Sequence, residues 1–181
     1  MHVEYGMYTQ EVDAMELWDL YTRDRQFTGE RHVRGEQLPP GRYHLVVHVW
    51  IKNSRGQWLI SQRAASRPTF PLKWESVGGS VTAGEDSLEG ALREAQEEVG
   101  VELDPANGWL ISSTVREHFQ DIRDVWLFVH DGPVDLANAT TDEVAAIRWM
   151  SVEEIRALYD AGELVHTLGY FFEHPKLGGH G

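Results

Sequence analysis

The sequence predicts a single mixed α and β domain whose strands come in runs rather than in strict βαβ alternation. Three observations predict it. Short runs rich in β-branched and aromatic residues recur along the chain, one central stretch has a helical period between capping signals, and two further helical patterns close the chain. A length of 181 residues suits one compact domain with a sizeable core. Residues 1–15 read as an N-terminal extension, 16–175 as the domain and 176–181 as a flexible tail.

The elements follow in order. ELWDLYT and FTGERHV read as a hairpin around the polar turn RDRQ. GEQLPPGR is a connector stiffened by Pro39 and Pro40. YHLVVHVWIKN, from Tyr43 to Asn53, is apolar on both faces, the pattern of a central strand. SRGQ turns the chain into a second strand, WLISQRA, and SRPTFPLKWE is a loop leading to SVGGSV. A helix follows over Ser87 to Val99. WLISSTVREHF, DVWLFVHDG and VAAIRWM read as strands. SVEEIRALYDAG is a helix with Ser151 as N-cap and Gly162 just past its end, and ELVHTLGYFFEH is a last helical pattern.

Composition removes several function classes. A net charge of −13 disfavours a nucleic-acid binder, which needs a basic face against phosphates. With no cysteine there is no disulfide, thiolate metal site or thiol nucleophile, and a cytoplasmic location is expected. The N-terminus has no basic start followed by an apolar run, so no secretory signal is expected. The longest apolar run, near LVVHVWI, is far too short to span a bilayer, so no membrane partner is expected. A homodimer stays open, because residues 1–15 and the aromatic cluster Tyr170, Phe171, Phe172 could each be interface or core.

The central helix carries the chemistry. Asp86 with Glu89 three residues on forms a capping-box start, and Gly100 is placed for the C-terminus. Leu88, Ala91, Leu92, Ala95 and Val99 form the apolar stripe. Glu94, Glu97 and Glu98 fall on another side, where like charges three and four apart destabilise a helix by about 0.2–0.5 kcal/mol per pair. A solvated surface with a Glu89–Arg93–Glu97 ladder is one reading of that face. It leaves Glu94 beside Glu98, and Glu85 with Gly78 and Gly79 upstream, without explanation. Clustered carboxylates with few cations are the ligand set of a hard divalent cation such as magnesium, whose charge turns their repulsion into attraction.

From Gly79 the chain reads glycine, five residues, Glu85, seven residues, then Arg93, Glu94, Ala95, Gln96, Glu97, Glu98, Val99, Gly100, Val101. This resembles the Nudix box, with Ala95 and Val101 at its apolar positions and every fixed position matched. The resemblance implies an α/β/α sandwich with a mixed β-sheet, here preceded by the N-terminal β-hairpin. It implies a hydrolase, dependent on Mg2+ or Mn2+, acting on an organic diphosphate as small-molecule substrate by attack of water on phosphorus. Carried over by position, Glu94, Glu97 and Glu98 bind metal, the carbonyl of Gly78 adds a ligand, and Glu85 and Arg93 support them. Arg93 in a simple surface pair is the alternative. The expected base is Glu98 or Glu97. Some members take an acid from a later loop, for which Glu143 is the candidate, unless it is an ordinary loop acid.

A second resemblance, from Glu16 to about Leu103, is to the isopentenyl-diphosphate isomerase branch of the same superfamily. That branch uses a cysteine, which this chain lacks, and several metal-binding histidines, of which only His44 stands at a matching place. Ser80 and Gln37 lie where further histidines are expected. The isomerases have a degraded box and this chain an intact one, so hydrolase is the reading; isomerase-like activity and a non-catalytic nucleotide sensor are the alternatives. His44 and His48 share a face of the central strand and could reach substrate or metal, or be core residues. Trp74 could line the pocket, and Arg63 and Arg67 could contact phosphate or face solvent.

Overall fold

The structure, a computed structural model, describes residues 15–179. Apart from Met15, the N-terminal extension lies outside the described residues. β1 (Leu17–Tyr21) and β2 (Phe27–Val33) form a separate antiparallel hairpin. Thr22 Oγ1 accepts from the Gln26 backbone N–H at the turn, and Arg25 takes a positive φ of 60° there.

The main sheet contains β3 (His44–Lys52), β4 (Trp58–Arg63), β5 (Trp74–Glu75), β6 (Val77–Ser80), β7 (Gly108–Arg116), β8 (Asp121–Val129) and β9 (Val144–Met150). β3 is central, as its two apolar faces predict. β8 runs parallel along one edge of it, with Val47 opposite Asp124, and β7 follows antiparallel on β8. The other edge of β3 is shared. β6 takes Val46 to Val49, and β4 meets β3 only through Lys52 and Trp58 before leaving to pair with β5 and β9. The sheet therefore forks between β6 and β4, and the candidate site sits at the fork.

Helix α1 (Ser87–Val99) covers one face, and α2 (Val152–Asp160) lies on the other. Leu45, Val47, Val49 and Ile51 pack with Ala91, Ala95 and Val99 of α1. Trp50, Trp58, Ile60 and Val125 pack with Ile155, Leu168 and Phe171. Each large side chain so buried contributes about 1.5–3 kcal/mol. Among the described residues no helix is long and apolar enough to cross a membrane.

The end of the chain differs from expectation twice. ELVHTLGYFFEH is not an α-helix. Its first residues run beside β5, where Trp74 N–H donates to Glu163 and Val165 N–H to Trp74, both at 2.9 Å. Only His166–Phe172 coils, as a 3-10 helix, whose three-residue turn sets Leu168 and Phe171 on one inward face. Phe171 is fully buried, so this part of the aromatic cluster is core. The expected flexible tail is packed as far as Gly179: Leu177 is buried and Gly178 N–H donates to Phe171 at 2.8 Å. Residues 180–181 lie outside the described residues.

Candidate active site

α1 is fixed at both ends as its sequence predicts. Asp86 accepts from Glu89 N–H and Glu89 from Asp86 N–H, each at 2.8 Å, and Gly100 ends the helix at φ 67°. Gly90 lets the helix lie close to Val81, which a Cβ there would meet at 2.9 Å. That contact turns the acidic face inward. Glu94 and Glu98 are buried, and Glu97 stays at the rim with 38% of its side chain exposed.

Arg93 is the hub of the acidic face. Its Nε and Nη2 bind Glu85 at 2.7 and 3.1 Å, its Nη1 binds Glu94 at 2.9 Å and Glu97 at 3.1 Å, and Nη2 also donates to the Ser80 carbonyl at 3.0 Å. A planar fork shared among three carboxylates fixes their orientation, which a surface pair would not do.

Gly78 and Gly79 admit the carboxylates to the backbone. Gly78 N–H donates to Glu98 Oε2 at 3.2 Å, and a Cβ on Gly79 would run into the Glu94 carboxylate. Because the Gly78 N–H points away from β3, its carbonyl points to the same side, toward the fork. Burial raises the Glu94 pKa to about 7 against the lowering effect of Arg93, with Glu97 and Glu143 adding to the rise. Burial also raises Glu98 well above the ordinary range, and Glu94, Glu75 and Glu143 push it further. Among the described residues Glu98 has no ion-pair partner.

The loop bearing Glu143 docks on α1, since the Glu97 carbonyl accepts the Thr140 and Thr141 N–H groups at 3.0 and 3.2 Å. Glu143 thus reaches the acidic cluster, held by Arg67 at 2.5 Å. Arg63 is similarly engaged, 2.6 Å from Glu75 and 2.8 Å from the Thr69 carbonyl. Both arginines expected to meet phosphate are therefore partners of carboxylates. Glu75 was missed in the sequence. Its only signal was its place three residues before Gly78, and burial, more than the opposing Arg63, raises its pKa. Trp74 packs toward the second core cluster, and Glu75 takes its expected place at the pocket.

A cavity of about 150 Å3 opens at the fork, lined by Val46, His48, Glu75 to Val77, Gly78 and Gly79. It is the size of a phosphoryl group rather than a whole nucleotide. A wider hollow of about 770 Å3 lies at the C-terminal end of α1, beside Gln96, Gly100 and Glu102, and holds none of the candidate residues. His48 reaches the fork cavity, with Nδ1 2.7 Å from the Tyr170 hydroxyl. His44 stacks on Trp18 with ring centroids 3.8 Å apart. Burial lowers the His44 pKa to about 4 and the His48 pKa to about 3, so both are neutral near pH 7.

Among the described residues no three His, Asp or Glu side chains are gathered tightly enough to ligate one ion as they stand. The donor set fits a hard divalent cation all the same. It is made only of oxygens, it is short of positive charge at Glu98, and the bare backbone of Gly79 admits the Glu94 carboxylate. Ligation asks Glu94 and Glu97 to exchange the Arg93 Nη1 bonds for the ion.

Comparison with known proteins agrees with this geometry. An uncharacterized Nudix hydrolase of Listeria monocytogenes is 38% identical over 160 residues, covering 87% of this chain and 91% of the relative. Similarity to an Escherichia coli isopentenyl-diphosphate Delta-isomerase is confined to 63 residues at 38% identity, 34% of this chain and 35% of the isomerase. A crystal structure of a Deinococcus radiodurans protein, DR0079, superposes with a TM-score of 0.66 at 26% identity, covering 83% of this chain and 92% of that one. The family model for the NUDIX domain matches residues 42–168, and the chain belongs to the Nudix hydrolases, enzymes acting on pyrophosphate bonds.

Proposed function

We propose that this chain is a pyrophosphohydrolase dependent on Mg2+ or Mn2+, cleaving a phosphoanhydride of a nucleoside or other organic diphosphate by attack of water on phosphorus. One observation carries the reading: Glu94 and Glu98 lie buried against Gly78 and Gly79 with raised proton affinity, and only Glu94 touches a cation.

Glu94, Glu97, Glu98 and the Gly78 carbonyl would hold the ion, which when bound neutralises phosphate oxygens and fixes the substrate in line. Arg93 orients Glu94 and Glu97 and is a positioning residue. Glu98 is the base, because among the described residues no arginine engages its carboxylate, which takes one bond from Gly78 N–H and keeps lone pairs for a proton from water. As that proton leaves, the water oxygen bonds to phosphorus, the bridging P–O bond breaks and its electrons leave with the departing phosphate. Glu143 orients the water from its loop. Glu75 keeps Arg63 beside the fork, and His48, being neutral, offers the substrate a hydrogen bond without adding charge. No observation favours the isomerase or sensor alternatives over this reading; isomerisation lacks its cysteine, and the box glutamates are all present.

The test is a panel of organic diphosphates incubated with magnesium in 18O-water, reading both phosphate products. Label on a phosphorus of one product supports the reading. Label on carbon, or full activity in excess chelator, overturns it.

A further inference from the structure

Among the described residues, the sheet face turned away from α1 carries a cation with no ion pair of its own, Arg123. Arg123 on β8 shares this face with Val46 of β3, because register-matched residues of parallel strands point the same way. Its guanidinium lies over the Tyr170 ring, 4.2 Å from the centroid, and its Nε is buried without a hydrogen-bond partner. The Tyr170 hydroxyl is bonded to His48, and His48 lines the fork cavity with Gly78. Contacts therefore run without a break from Gly78 through His48 and Tyr170 to Arg123.

Among the described residues Arg123 makes no ion pair, and Asp121 acts on it only through space. Asp121, two residues away on the same side of β8, is already held by Arg116 through bonds of 2.7 and 2.6 Å. His44 and His48 are neutral. In a chain of net charge −13, Arg123 is half-buried and, among the described residues, has no carboxylate bonded to it. An unmet buried donor costs free energy, and a guanidinium is matched by a planar or phosphate anion.

The hydrogen bonds also orient His48. Trp50 Nε1–H donates to the Tyr170 oxygen at 3.0 Å, so the phenol proton is free to go to His48 Nδ1 at 2.7 Å. With the phenol proton on that bond, the His48 hydrogen sits on Nε2, a second donor on a residue of the cavity wall. β3 separates β8 from β6, so Arg123 and the Gly78–Ser80 strand stand two strand spacings apart, about 10 Å.

We propose that Arg123, with His48 as second donor, binds a phosphoryl group of the substrate that the α1 carboxylates do not hold. The preferred substrates are then diphosphates bearing a further phosphoryl group, ahead of those whose second moiety is uncharged, such as isoprenoid diphosphates. Only the identity of the ligand as substrate rests on the hydrolase reading; the anion site does not.

The test is titration of inorganic phosphate by calorimetry, in excess chelator at neutral pH, into the wild type, Arg123→Met, Arg123→Lys and Glu98→Gln. Chelator removes any route through metal. Saturable binding is expected in the wild type and in Glu98→Gln. Arg123→Met is expected to weaken it roughly tenfold or more, and Arg123→Lys to restore much of the loss. In parallel, the Nε–H NMR signal that disappears in Arg123→Lys is expected to shift when phosphate is added to the wild type, which needs no folded Met variant. No saturable binding in the wild type, equal binding by a folded Arg123→Met, or an unmoved signal overturns the proposal. Phosphate binding that persists with no hydrolysis of any diphosphate would instead remove the hydrolase reading and leave the anion site standing.

Discussion

Arg25, in the turn of the N-terminal hairpin, grips Asp124 in the middle of β8 with two parallel bonds of 2.7 and 2.6 Å. Ser113 Oγ adds a third at 2.7 Å. The Asp124 side chain is 0% exposed and that of Arg25 is 37% exposed. The pair ties the hairpin to the sheet from residues 99 apart in the chain.

The unequal burial predicts unequal costs. Arg25→Met leaves a buried carboxylate unpaired and is expected to lose about 3 kcal/mol. Asp124→Asn keeps one acceptor oxygen, sets an amide N–H against an Arg25 N–H, and frees an arginine that can turn to solvent, for about 1–2 kcal/mol. Chemical denaturation measures both, and a larger loss for Asp124→Asn would contradict the assignment.

The same pair gives a pH dependence of stability. Burial alone would raise the Asp124 pKa, but bonds from Arg25, Ser87 and Ser113 outweigh it and hold it below the ordinary value. A depressed carboxylate stabilises the fold above its unfolded pKa, about 3.9, and loses that contribution as pH falls through the folded value. Arg25→Met is expected to flatten the fall in stability below about pH 4, read from denaturation midpoints across pH. An unchanged acid limb would sink this explanation.

The helix predicts a division of labour. Glu98→Gln keeps size and helix propensity, and turnover is expected to drop roughly 10²–10⁴-fold. Glu89→Gln touches only the capping box, so it is expected to cost about 1 kcal/mol or less of stability and leave turnover nearly intact. Equal losses of turnover in two folded variants would show that the active face is drawn wrongly.

The two glycines of β6 separate chemistry from folding. A methyl at Gly79 first meets the Glu94 carboxylate, a side chain, whereas one at Gly78 first meets the Val47 carbonyl inside the sheet. Gly79→Ala is expected to fold and lose turnover by about 10²-fold through a displaced carboxylate. Gly78→Ala is expected to lower the melting temperature by several degrees. Thermal melts and turnover on the same samples decide it.

Isomerase chemistry is predicted to be absent. Moving a double bond needs an acid and a base on opposite sides of a short alkene, and the chain has no cysteine for the acid, while a serine hydroxyl is too weak. Isopentenyl diphosphate incubated in deuterated water is expected to give no deuterated dimethylallyl product above a metal-free control. Deuterium in that methyl group would overturn the hydrolase assignment.

What the sequence determined was local. The two apolar faces of β3, the capping box of Asp86 and Glu89, and the spacing of Glu94, Glu97 and Glu98 depend on residues a few positions apart, where dihedral preference and residue pattern decide. Those elements stand where they were expected. The tertiary structure decided which acids are buried, since Glu94 and Glu98 turn inward where Gly90 meets Val81 and where Gly78 and Gly79 of β6 admit them. It also decided the partners of Arg63 and Arg67, the burial of Leu177, and the 3-10 path from His166, each set by contact with a distant strand or loop. Glu75 and Arg123 were illegible for the same reason. A carboxylate or guanidinium has no periodic signature, and its charge matters only once the sheet places Glu75 beside Glu98 and leaves the Arg123 Nε buried without a hydrogen-bond partner.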